Sequence, residues 1–120
     1  MTSLDARIAN LFPSIILNLQ ESIRIPSIQG DPTLDAPFGI QVKEALNHAL
    51  KTASSLGFKT YDLDGYVGWA EYGESENMIV VLGHLDVVPS GEGGRVLLLA
   101  ERYMEIKCSD EEQWTTKDPL

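Results

Sequence analysis

The sequence predicts an incomplete α/β domain with a mixed sheet, two helices followed by three strands. Three observations carry this prediction. Two stretches, 8–23 and 39–56, repeat apolar residues at helical spacing. Residues 58–72 alternate around an Asp-Gly turn signal. Residues 79–82 form an unbroken, mostly β-branched apolar run that ends close to a polar pair.

The first helix has Ser3 or Asp5 as its cap, followed by Ile8, Leu11, Phe12, Ile15, Ile16 and Leu19, with Ile23 extending the stripe. That stripe is expected to be core. Pro13 lies inside it, which predicts a break or kink near Phe12. Pro26 ends the helix, and Ile25-Pro26-Ser27-Ile28 leads into a loop holding Gly30, Asp31, Pro32, Asp35 and Pro37. The second helix spans 39–56. Its apolar face is Val42, Ala45, Leu46, Ala49, Leu50 and Ala53, and Gly57 stops it. His48 falls beside this face and reads as a surface or partly packed histidine, not a ligand.

Residues 58–63 and 66–72 read as the two arms of a hairpin around Asp64-Gly65. A hairpin beside a doubly buried strand makes the sheet mixed. Residues 73–77 form a polar turn that delivers the chain to the run Ile79, Val80, Val81, Leu82. Such a run suits a strand buried on both faces. His84 and Asp86 follow where more apolar residues would be expected, and at strand period they point to one side. In open α/β sheets ligand sites form beyond the carboxyl ends of strands. A polar pair there costs free energy unless something pairs with it. His-x-Asp at this place reads first as a metal ligand with a nearby carboxylate that orients or charge-balances it.

Composition narrows the classes. The 120 residues suffice for one modest domain, and 43% hydrophobic content with clear periodicity excludes a disordered chain. Nine Lys and Arg against 18 Asp and Glu give a formal charge of −9, which argues against nucleic acid and against an anionic membrane surface. No apolar run is long enough to span a bilayer, and Asp5 and Arg7 near the start speak against a signal peptide. The single cysteine, Cys108, excludes an internal disulfide framework and points to a reducing, cytoplasmic setting.

Beyond Pro89 the texture changes. Ser90-Gly91-Glu92-Gly93-Gly94 has glycines enough to approach an anion, but it lacks the Lys-Ser/Thr of a phosphate loop, so a plain loop is preferred. Residues 96–106 fit either a short helix or a pair of strands. Asp110-Glu111-Glu112 is an acidic run of the kind that forms a solvated face, and Trp114-Thr115-Thr116 follows it closely. The chain then ends in what reads as mid-domain.

Gly83-His84-Leu85-Asp86-Val87-Val88-Pro89, followed by Gly91-Glu92-Gly93, resembles the first metal motif of the zinc metallopeptidases of peptidase family M twenty, which includes aminoacylases, carboxypeptidases and dipeptidases. Ile25-Pro26-Ser27-Ile28-Gln29-Gly30-Asp31-Pro32, Ala36-Pro37-Phe38-Gly39, Leu56-Gly57-Phe58 and Asp64-Gly65-Tyr66-Val67-Gly68 are similar to the PepV-like dipeptidase branch. The resemblance implies that 1–93 is the N-terminal part of the catalytic domain, 94–113 an atypical insert, and 114–120 a resumed and truncated catalytic segment. In relatives the Gly-Glu-Gly stretch runs directly into the tryptophan, so the resemblance implies that the insert is a genuine one or an unspliced or misassigned segment.

The resemblance further implies zinc as cofactor, two ions in the full-length family. It implies His84 as a ligand of one ion, and Asp86 as the catalytic-site carboxylate supporting that histidine. The family activity is hydrolysis of dipeptides or short amides by a metal-bridging water. The family's remaining ligands lie after the Trp-Thr-Thr segment, so at most a partial site is expected and this chain is expected to be inactive alone. Glu111-Glu112 imitates the family's Glu-Glu pair but precedes Trp114, and Asp118 does not match the bridging aspartate. The expected partner is a dipeptide or short peptide substrate, with no nucleic acid and no membrane. The alternative is a non-catalytic fragment that acts only by association, through an uncovered sheet edge.

Overall fold

The computed structural model describes residues 3–89 and 91. The expectations for residues 92–120, namely the insert, Cys108, the acidic run and the Trp-Thr-Thr segment, lie outside the described residues. The element order is α1 (Leu4–Arg24), α2 (Ile40–Ser55), β1 (Lys59–Leu63) and β2 (Val67–Glu71). The α/β class and the order of helix, helix, hairpin agree with the sequence reading.

Helix α1 starts where the sequence places its cap. The Ser3 side chain accepts the Ala6 N–H at 3.2 Å, and Asp5 adds negative charge at the positive end of the helix dipole. The expected break at Pro13 does not occur: the helix is continuous from Leu4 to Arg24. Proline takes one N–H out of the helical ladder. Near it, the Ser14 hydroxyl donates to the Leu11 carbonyl at 2.7 Å, and the Asn18 amide donates to the Ser14 carbonyl at 2.9 Å. The expectation that the α1 stripe is core is also corrected, because no residue of the helix is buried. Leu11 and Ile15 stay about half exposed. The described residues bring little against α1 besides α2, where Thr52 Oγ1 donates to Asn18 Oδ1 at 3.2 Å.

The packed unit is α2 on the hairpin. Ala45 and Leu46 of α2 are buried together with Ala36 of the preceding loop. Within the hairpin, Tyr61 stands opposite Trp69, Thr60 opposite Ala70, and Asp62 opposite Gly68. The pleat therefore sorts the side chains into two sets. Thr60, Asp62, Gly68 and Ala70 share one face, and this face meets α2. A Cβ at Gly68 would stand 2.8 Å from Leu46 Cδ1 and 3.0 Å from Leu50 Cδ1, so glycine lets the strand lie close to the helix. Tyr61 and Trp69 occupy the opposite face and stack with centroids 4.9 Å apart. Asp64 and Gly65, with φ of 51° and 76°, form the tight turn that Asp-Gly predicts.

The loop between the helices is tied at both ends. The Gly30 N–H donates to the Phe38 carbonyl at 3.0 Å, and Thr33 and Ala36 exchange backbone hydrogen bonds of 3.0 and 3.2 Å. Phe38 packs edge-on against Tyr66, with centroids 5.7 Å apart. A Cβ at Gly65 would meet the Asp35 carbonyl oxygen at 2.9 Å, so loop and hairpin turn are in contact.

The third expected strand does not form a ladder. Residues 78–86 have no regular secondary structure, and Val87 alone makes a parallel bridge, to Ile28. Ile79, Val81 and Leu82 are more than nine-tenths exposed. A doubly buried strand needs a neighbour on each edge for its backbone groups and a cover on each face. The described residues provide neither for 78–82.

Candidate functional site

Residues 84–89 meet the inter-helix loop at residues 27–31. The contact has three parts. The Ser27 hydroxyl donates to the Leu85 carbonyl at 2.7 Å. The Val87 N–H donates to the Ser27 carbonyl at 3.0 Å, and Ile28 and Val87 form the parallel bridge. Ser27 is buried, the sole polar residue so placed among the described residues.

This contact brings His84 and Asp86 to a defined place. His84 Nδ1 lies 3.0 Å from the Asp86 backbone oxygen and 3.4 Å from Asp86 Oδ1. Both oxygens are acceptors, so the tautomer that fits carries its proton on Nδ1 and leaves Nε2 with a free lone pair. Their side chains remain 83% and 58% exposed, so water and solutes reach both. The two residues that strand spacing places on one side are thus neighbours, although the backbone carrying them is not a ladder strand.

Asp86 also lines a groove of about 590 Å³, together with Ile28, Gln29, Gly30, Asp31, Val87, Val88 and Pro89. Among the described residues, two carboxylates, Asp31 and Asp86, face this groove and no basic side chain does. Its electrostatics suit a cation or an ammonium group and disfavour an anion.

A histidine that ligates a metal through one ring nitrogen usually donates its other N–H to a carbonyl or carboxylate. The His84–Asp86 geometry fits that arrangement, with Nε2 as the ligand atom and Asp86 as its support. No group of three or more His, Cys, Asp or Glu residues that could hold a metal occurs among the described residues. A catalytic zinc site takes about three protein ligands and a water. The described residues therefore fit one arm of such a site and not a closed site.

His48 is half-buried on α2, in keeping with its reading as a partly packed histidine. A Cβ at Gly91 would meet no other described residue within 4 Å, and the glycine-rich neighbours of Gly91 lie outside the described residues. Sequence reasoning did not single out Ser27 or the groove-lining Asp31. Both lie in the stretch Ile25 to Pro32 that carries the resemblance, but no local pattern shows the hydrogen bond that joins Ser27 to Leu85 across 58 positions of chain.

No protein-family model matches the chain. Among curated proteins it is similar to "Putative dipeptidase YtjP" of Bacillus subtilis (strain 168), with 41% identity over 81 residues, covering 66% of this chain and 18% of the relative. It is 38% identical over 81 residues to "Putative dipeptidase" of Staphylococcus epidermidis, covering 66% of this chain and 17% of that protein. A Staphylococcus aureus (strain USA300) protein, "Putative dipeptidase SAUSA300_1697", matches at 36% over the same length, with the same 66% and 17% coverage. The chain spans less than a fifth of the length of these curated relatives. No helix of the described residues is long and apolar enough to cross a membrane. Over 66% of its length, then, this is a chain similar to proteins named as dipeptidases.

Proposed function

We propose that this chain carries one part of the active site of a zinc-dependent dipeptidase of the family M twenty type, with His84 as a zinc ligand and Asp86 as the carboxylate that orients it. The observation that carries the reading is the pairing of His84 Nδ1 with Asp86 at 3.0 and 3.4 Å, which leaves Nε2 available to a metal. The similarity to proteins named as dipeptidases supports peptide hydrolysis as the reaction class. Zinc, when bound, supplies a polarised water as nucleophile near neutral pH. This chain's own contribution is to hold an imidazole in one tautomer and to place two carboxylates, Asp31 and Asp86, along a groove open to a substrate ammonium group.

Hydrolysis needs ligands and a general base beyond those the described residues bring together. On this reading the chain alone does not turn over dipeptides. The test is a chimaera in which residues 1–93 are followed by the downstream part of the Bacillus subtilis relative, joined at Trp114 without 94–113. A zinc-dependent dipeptidase is the expected product. A folded, zinc-saturated chimaera that hydrolyses no dipeptide contradicts the reading.

A second reading rests on a separate observation, the near-complete exposure of Ile79, Val81 and Leu82. Apolar backbone that the described residues leave unpaired is a template for strand pairing between copies of the chain. On that reading the chain acts by association and not by chemistry.

A further inference from the structure

We infer that Ser27 is a positioning residue, one whose hydroxyl fixes the His84–Asp86 segment in the orientation that the candidate site needs. The inference rests on the proposed zinc reading for its purpose, but its structural content stands on separate observations.

Leu85, the residue between His84 and Asp86, has its carbonyl held by the Ser27 hydroxyl at 2.7 Å. Val87, the residue after Asp86, donates its N–H to the Ser27 carbonyl at 3.0 Å. One serine therefore grips the chain on both sides of Asp86. The two bonds fix the backbone on either side of Asp86 and leave the His84 and Asp86 side chains, 83% and 58% exposed, open to solutes. Nothing else among the described residues gives this segment a ladder partner, since the preceding 78–82 run is unpaired.

Ser27 can act as an anchor because it is itself fixed. It is 5% exposed, and it follows Pro26, whose ring locks φ. Its loop is closed by the Gly30–Phe38 hydrogen bond at 3.0 Å and rests on the hairpin through Phe38 and Tyr66. A continuous path of contacts therefore runs from the α2–hairpin unit through the loop to Leu85. Alanine at 27 would keep the backbone bond to Val87 and lose the side-chain bond to Leu85. Threonine would keep the donor.

The test uses the full 120-residue chain as wild type, Ser27→Ala and Ser27→Thr. Amide hydrogen exchange at Val87 and the response of the His84 imidazole resonances to added zinc chloride are followed by NMR. The β1 and β2 amides serve as the internal reference for folding. Ser27→Ala is expected to lower Val87 protection about 10-fold and to weaken the zinc response of His84 by about 10-fold, the lower end of the range for lost support of a ligand. The β1 and β2 amides should keep their protection, and Ser27→Thr should restore both readouts. If Ser27→Ala leaves Val87 exchange unchanged, or lowers β1 and β2 protection to the same degree, the positioning role is overturned. If wild-type His84 does not respond to zinc while Val87 protection still falls in Ser27→Ala, the zinc reading fails and the anchoring role of Ser27 stands.

Discussion

Gly39 lies with its backbone against that of Gly30, so closely that a Cβ on Gly39 would stand 2.8 Å from the Gly30 Cα and N. The contact closes the loop that carries Ser27 and supplies Gln29, Gly30 and Asp31 to the groove. Gly39 also has φ 95° and ψ 156°, a region that only glycine occupies without strain.

Gly39→Ala is therefore expected to be among the more damaging single changes in the chain. Backbone atoms cannot step aside as a side-chain tip can. Overpacking typically costs about 1–3 kcal/mol, and a residue forced into this backbone region adds on the order of 1–3 kcal/mol. Gly68→Ala is the control, since its neighbours are the terminal methyls of Leu46 and Leu50, which can shift. Denaturant unfolding should rank Gly39→Ala well below Gly68→Ala in stability. The reverse order would mean that the Gly30–Gly39 contact is not maintained in solution.

Asp62 gives a pH-dependent prediction. The Lys43 ammonium, hydrogen-bonded to its carboxylate, and the Gly65 N–H at 2.8 Å hold its pKa below the ordinary 3.8, against a smaller upward push from burial. A carboxyl depressed in the folded state stabilises the fold above its unfolded value, and that stability is lost as the pH falls through the folded value. The pair ties α2 to β1, but its side chains keep 21% and 30% exposure, so solvent screens it. A contribution of about 0.2–1 kcal/mol is expected. Asp62→Asn should be less stable than wild type at pH 7, and the gap should close as the pH drops below 3.8. A gap that stays constant down to pH 2 would show that the charge is not the source of the effect.

The parts of the fold that were legible in the sequence are those set by local rules. On the apolar face of α2, Ala45 and Leu46 are buried and Leu46 and Leu50 meet the hairpin at Gly68, as the period requires, and Asp64-Gly65 forms the turn that its composition demands. What failed depends on partners distant in the chain. Leu11, Phe12 and Ile15 have core spacing, yet remain about half exposed because α1 meets little besides α2 among the described residues. Ile79 to Leu82 has the composition of a central strand, but composition does not supply the neighbouring strands that would make it one. Pro13 does not break α1, which is continuous through it. At the candidate site, the nearness of His84 to Asp86 was readable from their spacing, whereas the anchoring of Leu85 by Ser27 was not, since it is a contact between loops.

The proposed chemistry makes its own prediction through His84 and Asp86, to be measured in the zinc-dependent chimaera described above. If Nε2 of His84 is a metal ligand, His84→Ala removes a bond to the ion outright and should nearly abolish dipeptide hydrolysis. Asp86→Asn preserves shape while removing the negative charge 3.4 Å from Nδ1. Loss of a group that supports a ligand typically costs about 10–100-fold in metal affinity or activity. A larger loss would assign Asp86 a direct role at the reacting atoms. The Asp86 backbone oxygen, 3.0 Å from Nδ1, survives the substitution and should keep the imidazole in its tautomer, which is why the asparagine variant should retain measurable turnover. Assays at saturating zinc separate weakened metal binding from lost chemistry. Part of the Asp86→Asn defect should then be recovered by zinc, and the His84→Ala defect should not. Unchanged hydrolysis by His84→Ala under these conditions would rule out His84 as a zinc ligand.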